Sequence, residues 1–303
     1  MYFQSGTPMK EIIHFILRWL PAIAIALGLL IRMEYYAIWF IQPALMLIMF
    51  ATFLETRNEI WSRISSYHGI LLTFQVGFAA VVFLSLRNIS LEVASAGLML
   101  VLAPTAVSSA AVAKGLDLPQ GLVAASTLVT NLFTCITFPL VPMVAGYGEP
   151  SISSILGPLS RIGVTIIVPF LLATILGKVS KSEADWFKTG WWRMLVRFIW
   201  AAILFISASK VGVWYTTSTE LTGMSYIWPP ALAIIIFVIQ ASVGYRARQD
   251  RRFESLLSYA HMNSGIAILL VIDIFPASTI AAILAYALIQ NIYFSILMGR
   301  KTE

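Results

Sequence analysis

Two short polar stretches stand inside otherwise apolar segments of this chain. Thr105, Ser108 and Ser109 follow Pro104 within Leu100–Ala111, and His261, Met262, Asn263 and Ser264 interrupt Tyr259–Ala267. Each interruption is followed by a further apolar segment carrying an amide, Asn131 in one half and Asn291 in the other. The spacings nearly agree, 26 positions from Thr105 to Asn131 and 27 from Ser264 to Asn291. In hydrocarbon, a broken helix leaves N–H and C=O groups that cost several kcal/mol each unless protein or a water-filled cavity satisfies them. A half-helix N-terminus placed at mid-depth offers N–H donors to an anion, and the freed carbonyls suit a cation. Paired interruptions in two halves are therefore the pattern expected at a transporter's binding site. The plainer alternative for each break alone is a proline kink with serines bonded back to their own turn.

Further polar side chains lie within reach of such a site. Gln75 precedes the first break by one segment, and Ser126, Thr127 and Thr130 share the segment of Asn131. Ser126/Thr130 and Thr127/Asn131 pair on common helix faces at i, i+4. Their hard oxygens suit an alkali cation or a hydrogen-bonded solute. The structural alternative for Gln75, Gln240, Asn131, Gln290 and Asn291 is interhelical hydrogen bonding, worth about 0.6 kcal/mol each. His261 is either a neutral core histidine or a proton-coupling group. No acidic residue falls at the middle of an apolar segment. No HExxH, GxSxG, phosphate loop or paired-carboxylate pattern is present, so the expectation is that the protein is not an enzyme. A lone Cys135 makes no internal disulfide.

The elements that must hold these residues are membrane spans. Hydrophobic residues make up 59% of the chain against 11% charged, with a mean hydropathy of +0.86, which excludes an ordinary soluble domain. Ten spans are predicted, at about 12–31, 36–54, 66–86, 93–113, 119–145, 162–179, 193–211, 225–245, 254–273 and 276–298. The polar stretch 146–160 divides them into five and five, so the second half must run inverted. Of the 20 Lys and Arg residues, only Arg32, Arg87, Arg161 and Lys210 fall on one side. The remainder collect on the side of both termini, which are expected in the cytoplasm, with the chain in the plasma (inner) membrane. The net charge of +6 is thereby explained without nucleic acid, and the basic loop from Arg246 to Arg252 suits anionic headgroups. Residues 1–8 resemble a purification-tag remnant, and no cleavable signal peptide is expected.

Several of these residues, in their order, resemble the bile acid:sodium symporter family. Met262-Asn263-Ser264-Gly265-Ile266-Ala267 is similar to that family's "QNSGLA" segment, and Gln290-Asn291-Ile292 falls at its "HNI". Gln75-Val76-Gly77-Phe78, Lys114-Gly115, Ser126-Thr127 and Phe275-Pro276 match further short motifs. The match covers about 66–140 and 250–299. The resemblance implies ten helices in two inverted five-helix repeats, with two broken helices crossing. The core would be 66–145 and 225–299, and the panel 9–55 and 162–211. It implies secondary active transport of an organic anion, bile-acid-like or a small carboxylate, by alternating access and usually with sodium. Binding would involve Gln75, Thr105, Ser108, Ser109, Ser126, Thr127, Thr130, Asn131, Ser258, His261, Met262, Asn263, Ser264 and Asn291.

This chain departs from the family at three points. Ser258 stands where the family has a glutamate, Met262 where it has a glutamine, and the first break lacks the usual Gly-Gly and Asn. A sodium ion would then rest on neutral oxygens of Ser126, Thr130, Asn131 and Ser258, without the charge that offsets cation desolvation. The alternatives to sodium symport are a sodium-independent or proton-coupled carrier, with His261 as the proton group, and a non-transporting membrane sensor or binding protein.

Overall fold

The computed structural model describes residues 8–33, 38–147, 152–179, 190–218 and 222–300. Residues 1–7 of the expected tag remnant, and Lys181, Lys188 and Lys301 of the basic side, lie outside them. Among the described residues the fold is helical, with no β-strand and a single isolated bridge. Six helical segments are long and apolar enough to cross a membrane: Ser66–Leu86, Gly121–Val144, Leu159–Leu176, Met194–Thr217, Gly223–Ala247 and Ala277–Met298. This fits a multi-pass membrane protein. Trp19–Leu30, Trp39–Glu55 and Leu91–Leu102 are shorter apolar helical stretches.

The first half contains α1 (Pro8–Leu30), α2 (Ile38–Ile60), α3 (Ser66–Leu86), α4 (Leu91–Leu102), α5 (Ser109–Gly115), α6 (Gly121–Thr137) and the short α7 (Val141–Val144). The second contains α8 (Ile152–Val179), α9 (Gly190–Thr217), α10 (Gly223–Ala247), α11 (Arg252–Ala260), α12 (Ser264–Val271) and α13 (Ala277–Arg300). Local chemistry explains several ends. Ser65 and His68 form a reciprocal capping box at the start of α3, and Ser90 caps α4 by accepting from the Val93 N–H at 3.3 Å. Asp117 takes a left-handed conformation (φ 54°) after α5, and the Leu118 N–H returns to the Ala113 carbonyl.

One boundary differs clearly from expectation. The stretch 146–160 was expected as a polar separator, yet α8 begins at Ile152. After α7 the chain turns: Gly146 adopts φ +73° and the Tyr147 N–H closes onto the Pro142 carbonyl. Serine is then accommodated in the helix by back-bonding, as Ser160 does to the Gly157 carbonyl at 2.8 Å.

Packing links the helices in several directions, for α9 meets α13 as well as α2, and α6 meets both α2 and α8. α1 lies along α9, α2 along α8, and α2 also touches α9; α3 packs on α4, while α10 packs on α11, α13 and α4. The α1–α9 contact is closest at two glycines. A Cβ on Gly28 would lie 2.3 Å from the Phe205 carbonyl oxygen, and one on Gly212 would lie 2.5 Å from that of Leu29. Backbone-to-backbone approach of this kind is how small residues bring membrane helices together. Gly28→Val or Gly212→Val should therefore lower stability by about 1–3 kcal/mol, through forced separation of the pair. Gly77→Ala, with nothing within 4 Å of the new Cβ, should change it by less than about 0.5 kcal/mol. Thermal unfolding of the purified variants in one detergent compares the three.

Candidate functional site

The two sequence interruptions are real breaks, made by different chemistry. α4 ends at Leu102 because Pro104 has no N–H to continue the ladder and forces the preceding residue out of helical geometry; Ala103 sits at φ −57°, ψ 133°. The second break contains no proline. There α11 ends at Ala260, and Asn263 starts α12 anew by accepting from the Ile266 N–H at 3.3 Å.

The broken segments meet. Thr105 and Met262 form an isolated antiparallel bridge. The Ala106 N–H donates to the His261 carbonyl and the Asn263 N–H to the Pro104 carbonyl, both at 2.6 Å. In this register Thr105 and Met262 face each other without bonding each other, so their own N–H and C=O groups point outward. Side chains of the following helices receive them. The Thr105 N–H donates to Thr130 Oγ1 at 2.9 Å, and Asn131 Nδ2 donates to the Thr105 carbonyl at 3.1 Å. Across the bridge, the Met262 N–H donates to Gln290 Oε1 at 2.8 Å, and Gln290 Nε2 donates to the Met262 carbonyl at 3.0 Å.

Further contacts tie the halves together. Thr105 Oγ1 donates to the Ser258 carbonyl at 2.7 Å, and Asn263 Nδ2 to Asn131 Oδ1 at 3.3 Å. Ser109 Oγ lies 2.9 Å from His261 Nδ1, and the imidazole packs against Phe294 with ring centres 4.9 Å apart. Thr127 Oγ1 is within reach of the Ala106 carbonyl at 3.2 Å, and Gln75 Nε2 of the Ala103 carbonyl at 3.4 Å. All of these side chains are buried.

The structure thus brings Gln75, Thr105, Ser109, Thr127, Thr130, Asn131, His261, Met262 and Asn263 together with Ser264, whose hydroxyl lies 3.4 Å from Gln290 Nε2. Ser108 is exposed and makes no side-chain cap bond. Ser126 and Ser258 are buried but turn their hydroxyls back to the Leu122 and Glu254 carbonyls of their own helices, each at 2.9 Å. Asn291 corrects the expectation. Its amide donates to the Ala287 carbonyl one turn back at 2.6 Å, because the face of α13 that meets the break is that of Gln290. Tyr286, one turn before Gln290, shares that face, with its hydroxyl 2.9 Å from the Ala260 carbonyl and 2.7 Å from Gln240 Oε1. Gln290 and Tyr286 were missed as site residues. The available signal was register: Gln290 follows the bridging Met262 by 28 positions, as Asn131 follows the bridging Thr105 by 26.

The first turn of α12 carries one unused donor. The Ser264 N–H bonds the Met262 carbonyl, the Ile266 N–H the Asn263 side chain and the Ala267 N–H the Asn263 carbonyl. The Gly265 N–H has no acceptor among the described residues. A Cβ on Gly265 would lie 2.4 Å from Leu45 Cδ2 of α2 and 3.1 Å from the Trp200 ring of α9, so this turn lies directly against α2 and α9. No family model matches the chain, and no curated protein matches it either.

Gln290→Leu should strand the Met262 N–H, while the Met262 carbonyl keeps the Ser264 N–H, and cost about 1–3 kcal/mol. Asn291→Leu, which removes only a bond to its own helix, should cost less than about 1 kcal/mol. Matched unfolding curves of the two variants separate adjacent positions that sequence alone does not distinguish.

Proposed function

We propose that this protein is a secondary transporter of an organic anion on a bile acid:sodium symporter-like fold. Its ten spans would form two inverted five-helix repeats. On this reading the broken pairs α4/α5 and α11/α12 each count as one span, and both termini lie in the cytoplasm. α3–α7 with α10–α13 form the core, and α1, α2, α8 and α9 form the panel. The observation that carries the proposal is the meeting of the two broken helices at Thr105 and Met262.

The anion would bind between core and panel at the start of α12. Gly265 lies close to Leu45 and Trp200 there, and the helix N-terminus adds partial positive charge. Alternating access would move the panel against a core whose two halves are fastened by the bridge. Contacts already span the two groups near their ends. Arg161 of α8 pairs with Asp273 after α12 at 2.6 Å, Lys210 of α9 donates to the Ile272 carbonyl, and Glu55 of α2 lies 3.7 Å from Lys114 of α5. Exposed pairs of this kind contribute little stability and are easily exchanged, which suits a contact that must open.

Movement without sodium is the form of transport that the hydrogen bonds favour. Of the four candidate sodium ligands, Ser126 and Ser258 donate back to their own helices, Thr130 Oγ1 donates to the Ser126 carbonyl at 2.7 Å, and Asn131 Oδ1 accepts from Asn263. None is charged. The Ser109–His261 pair is read as a brace rather than a nucleophile and its base, since the hydroxyl is fully buried and the ring is packed on Phe294.

Cholate, as a probe organic anion, should accumulate in proteoliposomes carrying the wild-type protein and not in those carrying Thr105→Val or Asn263→Leu that are still folded. It should also raise the unfolding temperature in a saturable way, following RT ln(1 + [L]/Kd). A sodium series at constant ionic strength, balanced with choline, should give no saturable shift. A sodium-specific shift would instead restore symport, and equal uptake by all three proteins would remove the crossing from the transport site.

A further inference from the structure

A groove of about 460 Å³ opens along α10, between α11 and α13. Its walls include Phe237, Ala241 and Tyr245 of α10, Leu256 of α11 and Tyr293 of α13, and Arg246 stands at one end. Phe237, Ala241 and Tyr245 recur at intervals of four, as do Val238, Ser242 and Arg246 beside them, so two neighbouring ridges of α10 line the groove. From Phe237 to Arg246 these ridges rise about 14 Å at 1.5 Å per residue. One leaflet of a bilayer has a hydrocarbon depth of about 15 Å, half of the ~30 Å core. The groove is therefore apolar over one leaflet's depth and basic where that leaflet ends.

The charge at its mouth is uncompensated. Asp250 is the acid of the α10–α11 turn, and two arginines occupy it: Arg248 at 2.8 Å and Arg251 at 3.7 Å. Hydrogen bonds from Arg248 hold the Asp250 carboxyl below its usual range, so it stays ionised and engaged. Arg246 makes no ion pair among the described residues. Arg252 lies over the Tyr245 ring at 5.5 Å, which brings a second guanidinium to the same mouth, where it also donates to Gln249 Oε1 at 2.5 Å. Tyr245 is braced edge-on by Phe253, with ring centres 5.7 Å apart. An aromatic ring and two arginines at the end of an apolar channel match the headgroup level of a membrane.

We infer that this groove holds one anionic glycerophospholipid, with an acyl chain against Phe237, Ala241 and Tyr293 and its phosphate on Arg246 and Arg252. A soluble phosphate would use the arginines and leave the apolar walls unfilled; the lipid uses both. The site is separate from the proposed solute site and does not depend on transport.

The test is native mass spectrometry of the purified full-length protein in detergent, titrated with phosphatidylglycerol and with phosphatidylcholine. Phosphatidylglycerol should be retained more strongly. Each of Arg246→Gln and Arg252→Gln should weaken its retention about fivefold, the factor equivalent to about 1 kcal/mol per basic residue. The double variant should bind the two lipids alike. Ala241→Trp, which fills the groove and leaves the charges, should weaken both lipids, and Arg87→Gln, in the turn after α3, should change neither. Excess glycerol 3-phosphate should not displace the lipid. Equal retention of the two lipids by wild type, unchanged phosphatidylglycerol binding in the double variant, or displacement by glycerol 3-phosphate would each overturn the assignment.

Discussion

The structure depends on satisfying four backbone groups at one bridge. Two helices are interrupted inside an apolar body, and each interruption exposes peptide groups whose burial without a partner costs more than almost any single packing contact repays. Pairing the breaks answers half of the problem, because two bonds of 2.6 Å join them into a two-residue antiparallel ladder. The other half is the edge problem of any small sheet, since the outward N–H and C=O of Thr105 and Met262 remain open. Thr130 and Asn131 cover one edge and Gln290 covers the other. The polar side chains of α6 and α13 are thus consequences of the breaks. A break without its amide, or an amide without its break, would leave a buried polar group stranded.

The same bonds set where motion is available. The crossing is held by contacts between halves that are distant in sequence: Thr105 to Ser258, Asn131 to Asn263 and Ser109 to His261. A local shift at any of them would uncover several buried groups at once, so the crossing moves as a body or not at all. Its contact with α2 and α9 is of another kind. There Gly265 meets Leu45 and Trp200 through van der Waals contact, and apolar surfaces can separate and re-form without stranding a donor. A transporter that alternates between two openings needs this division, a rigid polar centre and a dry sliding face.

Much of this was legible in the residues, and the limits have physical reasons. Pro104 announces its break because its ring excludes the helical ladder wherever it falls in mid-segment. The break at Asn263 is harder to read, since asparagine interrupts a helix only when its side chain caps the next one. The choice of Asn291 over Gln290 was an error of helical phase. Adjacent residues on a helix point about 100° apart, and only one of two neighbouring amides can face the bridge. Equal spacing in the two halves located the right turn but not the right residue. The polar stretch at the start of α8 reads as a loop for a related reason: serine favours turns, whereas in the helix Ser160 folds its hydroxyl back onto its own turn.

The balance of donors and acceptors also bears on what the crossing would hold. Of the carbonyls at the two breaks, those of Pro104, Thr105, Ala106, Ala260, His261 and Met262 each accept a hydrogen bond from a neighbour, and each would have to give up a partner to join a cation's shell. The Gly265 N–H is in the opposite position, a first-turn donor of α12 with nothing to bond. A helix N-terminus with one free N–H and no carboxylate beside it favours negative charge on electrostatic grounds. On the proposed symporter-like reading, a neutral Ser258 shifts the balance the same way, because no anion stands there to compete with an anionic solute or to attract sodium. On the proposed reading, the start of α12 is a neutral place with a donor to offer, which suits an organic anion.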